Sequence, residues 1–184
     1  MSPNARFIPN QKKFSGSTHV GSGMYYARAD NKPSTPKSFF VVYTAANYAI
    51  DETGQSYLVP SNPMSGSTEV IRTDAPIRSF QGFIVEKPGI VVFQHHNYKG
   101  NGHQFQTTAQ SIDDYFDYDQ RDGVSSYIVT GGKWKLCLEE NLQGACFIVN
   151  EGEMEPTIDI VTLNDRVRSL TPVRNFWSNE IWAE

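Results

Sequence analysis

An all-β sandwich or barrel is the fold class this sequence predicts, and three observations carry it. Short runs rich in Val, Ile, Phe and Tyr recur along most of the chain, separated by clusters of Gly, Pro, Asn and Ser. No long segment shows an apolar period of 3.6 residues. Two linked sequence patterns occur three times, about 45–50 residues apart, as expected of a repeated supersecondary unit.

The segment to Lys37 is rich in Ser, Thr, Gly, Asn and Pro and reads as an irregular arm. Strand candidates begin with Phe39-Phe40-Val41-Val42-Tyr43. They continue with Tyr57-Leu58-Val59, Glu69-Val70-Ile71, Phe83-Ile84-Val85, Ile90-Val91-Val92-Phe93 and His103-Gln104-Phe105. Ser126-Tyr127-Ile128-Val129, Trp134-Lys135-Leu136-Cys137, Cys146-Phe147-Ile148-Val149 and Val167-Arg168-Ser169-Leu170 complete the set. The best helical candidate is Ser111-Ile112-Asp113-Asp114-Tyr115-Phe116, with Ser111 as N-cap, long enough for a turn or two.

The first repeated pattern is an apolar residue, four residues, a second apolar residue, one residue, then Gly. It aligns Phe93, Tyr98 and Gly100 with Cys137, Leu142 and Gly144. Tyr43 and Tyr48 fit upstream, with Ile50 in place of the Gly, and Asn47, Asn97 and Asn141 share a column. Such a strand folds over a tight hairpin, where Gly100 and Gly144 supply a positive φ. The second pattern follows each hairpin: Asp74-Ala75-Pro76-Ile77-Arg78-Ser79, Arg121-Asp122-Gly123-Val124-Ser125-Ser126 and Asn164-Asp165-Arg166-Val167-Arg168-Ser169. Its closing Ser-Ser or Arg-Ser pair is expected to tie the hairpin by hydrogen bonds. One unit cannot cover its own apolar face, so units should pair into a two-sheet sandwich.

These residues resemble the βγ-crystallin family, whose Greek-key motif joins an aromatic–x4–aromatic–x–Gly hairpin to an Asn/Asp–Asn/Asp–x–x–Ser/Thr–Ser stretch. The resemblance is strongest over residues 89–173. It implies a complete two-motif domain at 88–174, with a divergent motif at 38–87. Residues 1–37 are then an arm or a degenerate motif completing a second domain; Phe14-Ser15-Gly16 and Asp30-Asn31-Lys32-Pro33-Ser34-Thr35 echo both patterns. A β-trefoil competes for three repeats but lacks the Asp/Ser stretch. The tail at 175–184, with Phe176, Trp177 and Trp182, is expected to pack on a domain face.

Family members bind calcium through the Asn/Asp–Asn/Asp–x–x–Ser/Thr–Ser stretch and hairpin carbonyls, oxygens that suit a hard cation. Every copy here is altered. The resemblance implies one weak calcium site at most, drawn from Asp122, Gly123, Ser125, Leu138 and Glu139. The other positions read as disabled: Asn164, Asp165 and Arg168 in the third copy, Asp74 and Arg78 in the first, because a guanidinium puts positive charge where the cation would sit.

Other chemistry finds less support. His95, His96 and His103 lie on one hairpin, but adjacent strand residues face opposite sides and do not chelate. Asp113, Asp114, Asp117, Asp119 and Asp122 read as a solvated acidic face. Two cysteines, Cys137 and Cys146, are too few for a disulfide framework; they bracket one hairpin and could face each other across it as a disulfide, but in a reducing cytosol they are expected as thiols. No Gly-x-Ser-x-Gly elbow, His-Glu-x-x-His, phosphate loop or dinucleotide fingerprint occurs, so an enzyme is not expected.

The charge balance of 16 basic to 20 acidic residues, net -4, disfavours nucleic acid as a partner. No run approaches the roughly 18 apolar residues that span a bilayer. The opening residues, Met1 to Arg6, lack an apolar secretory core, so the expected location is cytoplasmic, or extracellular if a leader was removed. The expected function is that of a non-enzymatic structural or stress-type protein with weak or lost calcium binding, partnered by itself or by an unknown protein. The alternative is a secreted or delivered binding module, toxin-like or inhibitor-like, that uses the arm and the aromatic tail.

Overall fold

The computed structural model describes residues 25–28, 39–60, 70–83, 85, 87–116, 123–158 and 165–173. Residues 1–24, most of the arm's remainder and the tail lie outside them, as do Asp117, Asp119, Asp122 and Asn164.

The described strands are β1 (Tyr25–Arg28), β2 (Phe39–Tyr43), β3 (Ser56–Pro60), β4 (Val70–Thr73), β5 (Ser79–Phe83), β6 (Ile90–Phe93), β7 (Gly102–Phe105), β8 (Ser126–Val129), β9 (Trp134–Cys137), β10 (Cys146–Val149), β11 (Met154–Glu155) and β12 (Ser169–Pro172). All pairings are antiparallel. The all-β expectation holds, as a Greek-key sandwich.

Residues 89–173 build two sheets, ordered β11-β8-β6-β7 and β10-β9-β12. They exchange strands. β11 follows β10 in the chain but pairs with β8 of the preceding repeat. Ala109 returns the exchange by bridging to Leu170 on β12. Each repeat thus completes its partner's sheet. Between the sheets lie Ile90, Val92, Phe105, Ile112, Phe116, Val124, Val129, Trp134, Leu136, Val149, Val167 and Leu170, all buried. Trp134 satisfies its indole N–H on the Gly131 carbonyl at 3.0 Å, as a buried ring nitrogen must.

The first repeat forms a third sheet, β3-β2-β5. Period-2 alternation on β2 sends Phe39, Val41 and Tyr43 to one face and Val42 to the other. The first face packs on Val91, Phe93 and Ile128, the outer face of the β6–β8 sheet. β6 is therefore buried on both faces, which is why Ile90-Val91-Val92-Phe93 is an unbroken apolar run. The equivalent outer positions in the third repeat are Lys135, Ile148 and Thr171, none of them buried. Of the equivalent strands, β6, which another sheet covers, is apolar throughout, whereas β9 carries Lys135 on its outer face.

Several boundaries differ from expectation. The strand expected at 83–85 is β5, Ser79–Phe83. Gln81 and Gly82 disguise it: the buried Gln81 carries cross-sheet hydrogen bonds, and the Phe40 ring lies where a Cβ on Gly82 would come within 2.8 Å. β12 starts at Ser169 rather than Val167. β11 is two residues long and exists only through its pairing, and β1 pairs with β4 from within the expected arm. The helical candidate shrinks to a 3-10 turn, Asp113–Tyr115. Ser111 does not cap it; its hydroxyl donates to Glu140 Oε1 at 3.1 Å. The expectation of two thiols is overturned: Cys137 and Cys146 face each other in register across β9 and β10 and form a disulfide.

Candidate functional site

Each hairpin turns through consecutive residues in the left-handed region, two in the second and third repeats and three in the first, where Ala49 (φ 55°) follows the shared pair. The pairs are Asn47 and Tyr48 (φ 51° and 60°), Asn97 and Tyr98 (55° and 58°), and Asn141 and Leu142 (56° and 61°). Asn tolerates that conformation; Tyr and Leu resist it. Gly100 and Gly144 follow at φ 74° and 72°, while Ile50, in the Gly column of the first repeat, sits at φ -62°.

One serine per repeat holds the turn. The Ser126 hydroxyl donates to the His95 carbonyl at 2.7 Å and accepts the Tyr98 amide at 3.0 Å. Ser169 does the same with the Glu139 carbonyl (2.5 Å) and Leu142 amide (3.0 Å), and Ser79 with the Ala45 carbonyl (2.7 Å) and Tyr48 amide (3.0 Å). All three serines are completely buried. The hydrogen-bond tie expected from the repeat is present three times.

The residue before each clamp serine is the hydroxyl position of the cation stretch, replaced by Arg78 and Arg168 in the first and third repeats and kept as Ser125 in the second. Ser125 is buried. Its hydroxyl donates to the Gln94 carbonyl at 2.6 Å and also contacts Asp165 Oδ1. Gly123 joins the same junction: its amide donates to the Asp165 carbonyl at 3.2 Å, and an added Cβ would lie 2.5 Å from that carbonyl. Ser125 thus meets Gln94 of its own hairpin and Asp165 of the facing repeat. Leu138 and Glu139 belong to the other half: Leu138 donates its amide to Ala145, and Glu139 gives its carbonyl to Ser169. Asp165, read from sequence among the disabled positions, is the carboxylate that reaches Ser125. Sequence reasoning did not name Gln94, because a backbone carbonyl leaves no side-chain signal.

In the third repeat Arg168 occupies the corresponding position. Its amide donates to the Cys137 carbonyl at 2.9 Å, as Ser125 does to Phe93, and its guanidinium lies 3.8 Å from Asp113 Oδ1. In the first repeat Arg78 is exposed, and Asp74 accepts the Tyr57 hydroxyl at 2.5 Å. Ser125, Gln94 and Asp165 bring oxygens of the kind a hard cation takes to one junction, but Arg168 Nη1 borders the same place: an added Cβ on Gly123 would lie 2.5 Å from it. Hard-cation chemistry does not fit the Arg168 half, where the fixed positive charge already faces a carboxylate. Among the described residues no group of three or more His, Cys, Asp or Glu side chains converges on a metal position.

The second hairpin is also a docking surface for the first repeat. Gln81 Nε2 donates to the Tyr43 hydroxyl (2.7 Å) and the Gly100 carbonyl (2.8 Å), and Gln81 Oε1 accepts the Gly102 amide (2.8 Å). The Tyr43 hydroxyl donates to the Tyr98 carbonyl at 2.7 Å, and the Gly100 amide donates to the Tyr48 carbonyl at 2.8 Å. Burial pushes the Tyr43 phenol well above its ordinary range, an effect the Gln81 hydrogen bond partly opposes. Burial, aided by Glu155, pushes Tyr98 up to about 12; Tyr127 reaches about 12 by burial with Glu153 and Glu155 nearby. Half-burial against the Phe105 and Tyr115 rings lowers His103. No helix among the described residues is long and apolar enough to cross a membrane.

Residues 89–173, a little under half of the chain, match the family model described as Beta/Gamma crystallin. Among solved structures the chain is similar to Geodin, a βγ-crystallin from Geodia cydonium, at 18% identity and a TM-score of 0.62, covering 91% of this chain and 90% of that one. A βγ-crystallin from Ciona intestinalis aligns over 46% of this chain and 99% of its own at 20% identity, with a TM-score of 0.41. A transition-metal-ion-binding βγ-crystallin from Methanosaeta thermophila aligns over 46% and 99% at 22% identity, with a TM-score of 0.37. No curated protein matches the chain closely enough to count as a relative.

Proposed function

We propose that this chain, whose residues 89–173 are a βγ-crystallin domain, is a non-enzymatic structural or stress-type protein whose product is the stable fold itself, with calcium binding reduced to one weak site. The observation that carries this reading is the contrast between intact clamps and altered cation positions. Ser79, Ser126 and Ser169 keep both hydrogen bonds, so each hairpin is tied by groups of the chain itself. Of the cation positions, Arg168 fills one with a guanidinium, Arg78 replaces another, and among the described residues the Ser125 junction is where oxygens converge.

At that junction Ser125, the Gln94 carbonyl and Asp165 would hold a hard cation in competition with the neighbouring Arg168 guanidinium. The described residues bring three oxygens there against the six to eight that calcium takes, so weak binding is the expectation. Calorimetric titration of metal-free protein tests this. The expected result is a weak, single-site heat that Asp165→Asn abolishes. No heat at millimolar calcium removes the site but leaves the structural reading. Tight binding at two sites overturns the reading that the Arg168 half is disabled.

A second reading is favoured by one observation. The Cys137–Cys146 disulfide suits an oxidising compartment, which supports a secreted or delivered binding module over a cytoplasmic protein. Partner capture with and without residues 1–37 separates the two. If truncation changes only solubility, the module reading fails.

A further inference from the structure

The first column of the repeated hairpin holds Tyr43, Phe93 and Cys137. Across the strand pair these face Ser56, Gly102 and Cys146. In the first two hairpins the column residue is a ring that meets a second ring at the fold: Tyr43 and Tyr48 centroids are 5.9 Å apart, Phe93 and Tyr98 5.4 Å. Phe93 lies so close over Gly102 that a Cβ there would come within 2.6 Å of it. The third hairpin has neither ring, since Cys137 and Leu142 replace them. In their place stands the covalent bond to Cys146. Cys137 is fully buried, but Cys146 is partly exposed, beside exposed Gly144 and Ala145.

We infer that the Cys137–Cys146 disulfide is a redox-sensitive tie that substitutes for the aromatic pair of the other hairpins, so that reduction loosens the third hairpin and no other. The reductant is a small dithiol. Its thiolate attacks Cys146 Sγ, the accessible sulfur, forming a mixed disulfide as Cys137 leaves and takes up a proton. The second thiol of the reagent then displaces Cys146, so the reagent leaves as its own disulfide and the protein gains two thiols. The loosened segment carries Leu138, Glu139, Asn141 and Leu142. It remains held by Ser169 and by the Asn141 amide on the Gln110 carbonyl (2.7 Å), so the response is local.

Thiol titration with peptide-resolved hydrogen exchange, with and without dithiothreitol, tests the inference on the full chain. The expected result is no free thiol before reduction and two after it. Exchange at residues 138–146 should quicken by up to about a hundredfold, the closure entropy of a loop of roughly ten residues. Residues 43–56 and 94–102 should be unchanged. The triple variant Cys137→Phe, Leu142→Tyr, Cys146→Gly rebuilds the ring pair and should exchange slowly whether or not reductant is present. Free thiols at the outset, unchanged exchange at 138–146 on reduction, or equal quickening in all three hairpins overturns the inference. So does a folded triple variant that exchanges like the reduced protein. If that variant does not fold, the wild-type comparison decides alone.

Discussion

Ser126→Ala is expected to be among the costliest single-atom deletions in this protein. The hydroxyl is completely buried and serves both sides of the second hairpin, donating to the His95 carbonyl and accepting the Tyr98 amide. Deleting it leaves both groups without that partner, and a buried polar group so orphaned costs about 1–3 kcal/mol. The carbonyl keeps a second lone pair, so the sum is about 2–4 kcal/mol rather than the maximum. Tyr98, moreover, is held in the left-handed region and offers its own carbonyl to Tyr43, so a loosened turn also weakens the docking of the first repeat. For a chain of this size the loss corresponds to a fall in Tm of about 5–15 °C. Urea unfolding of Ser126→Ala, Ser169→Ala and exposed Thr108→Ala measures it. Ser126→Ala should lose most. Ser169→Ala should lose less while the disulfide is intact, because the bond holds the same hairpin. Thr108→Ala should stay within about 0.5 kcal/mol. A Ser126→Ala loss no larger than that of Thr108→Ala would refute the claim that the serine clamp maintains the turn.

Three further outcomes are expected. Gln81→Leu takes their side-chain partner from the Gly100 carbonyl and the Gly102 amide, and leaves the Tyr43 hydroxyl only its bond to the Tyr98 carbonyl. It should cost about 2–4 kcal/mol and split the calorimetric unfolding into two transitions; a single transition at the wild-type Tm counts against the contact. Gly102→Ala drives a Cβ into the Phe93 and Phe83 rings, at 2.6 and 2.7 Å, and should destabilise by about 1–3 kcal/mol. Gly132→Ala, with open space around it, should show only the smaller backbone effect of its φ of 76°. The raised phenols of Tyr98 and Tyr127 stabilise the fold fully below the ordinary tyrosine value of 10.0, and that contribution fades as pH rises towards about 12. Alkaline unfolding followed by phenolate absorbance should therefore lose its steepest part in Tyr98→Phe; an unchanged pH profile contradicts the burial assigned to that ring.

Period-2 runs and turn clusters carried the all-β class, and the thrice-repeated hairpin and serine patterns carried the motif, because both are local. A tight turn needs its Asn and Gly within a few residues, and its clamp serine recurs at a fixed place in the repeat. Eight strands, β2 to β4 and β6 to β10, lie where the apolar runs do, and Ser79, Ser126 and Ser169 tie the turns as the pattern implied. What the chain concealed was non-local. Gln81 and Gly82 look unlike strand residues because their reasons for being there, the Gly100 backbone and the Phe40 ring, come from elsewhere. β11 is too short to carry a pattern and exists through its pairing with β8. The partners of Ser125 are a backbone carbonyl and a carboxylate forty residues away in the chain, so strand exchange, not spacing, decides which oxygens meet. The cysteines repeat the lesson: Cys137 falls in the aromatic column and the pair brackets one hairpin, but the register of β9 and β10 is what sets the two sulfurs face to face. Local chemistry was written in the sequence; the choice of partners depended on how one repeat is laid against the next.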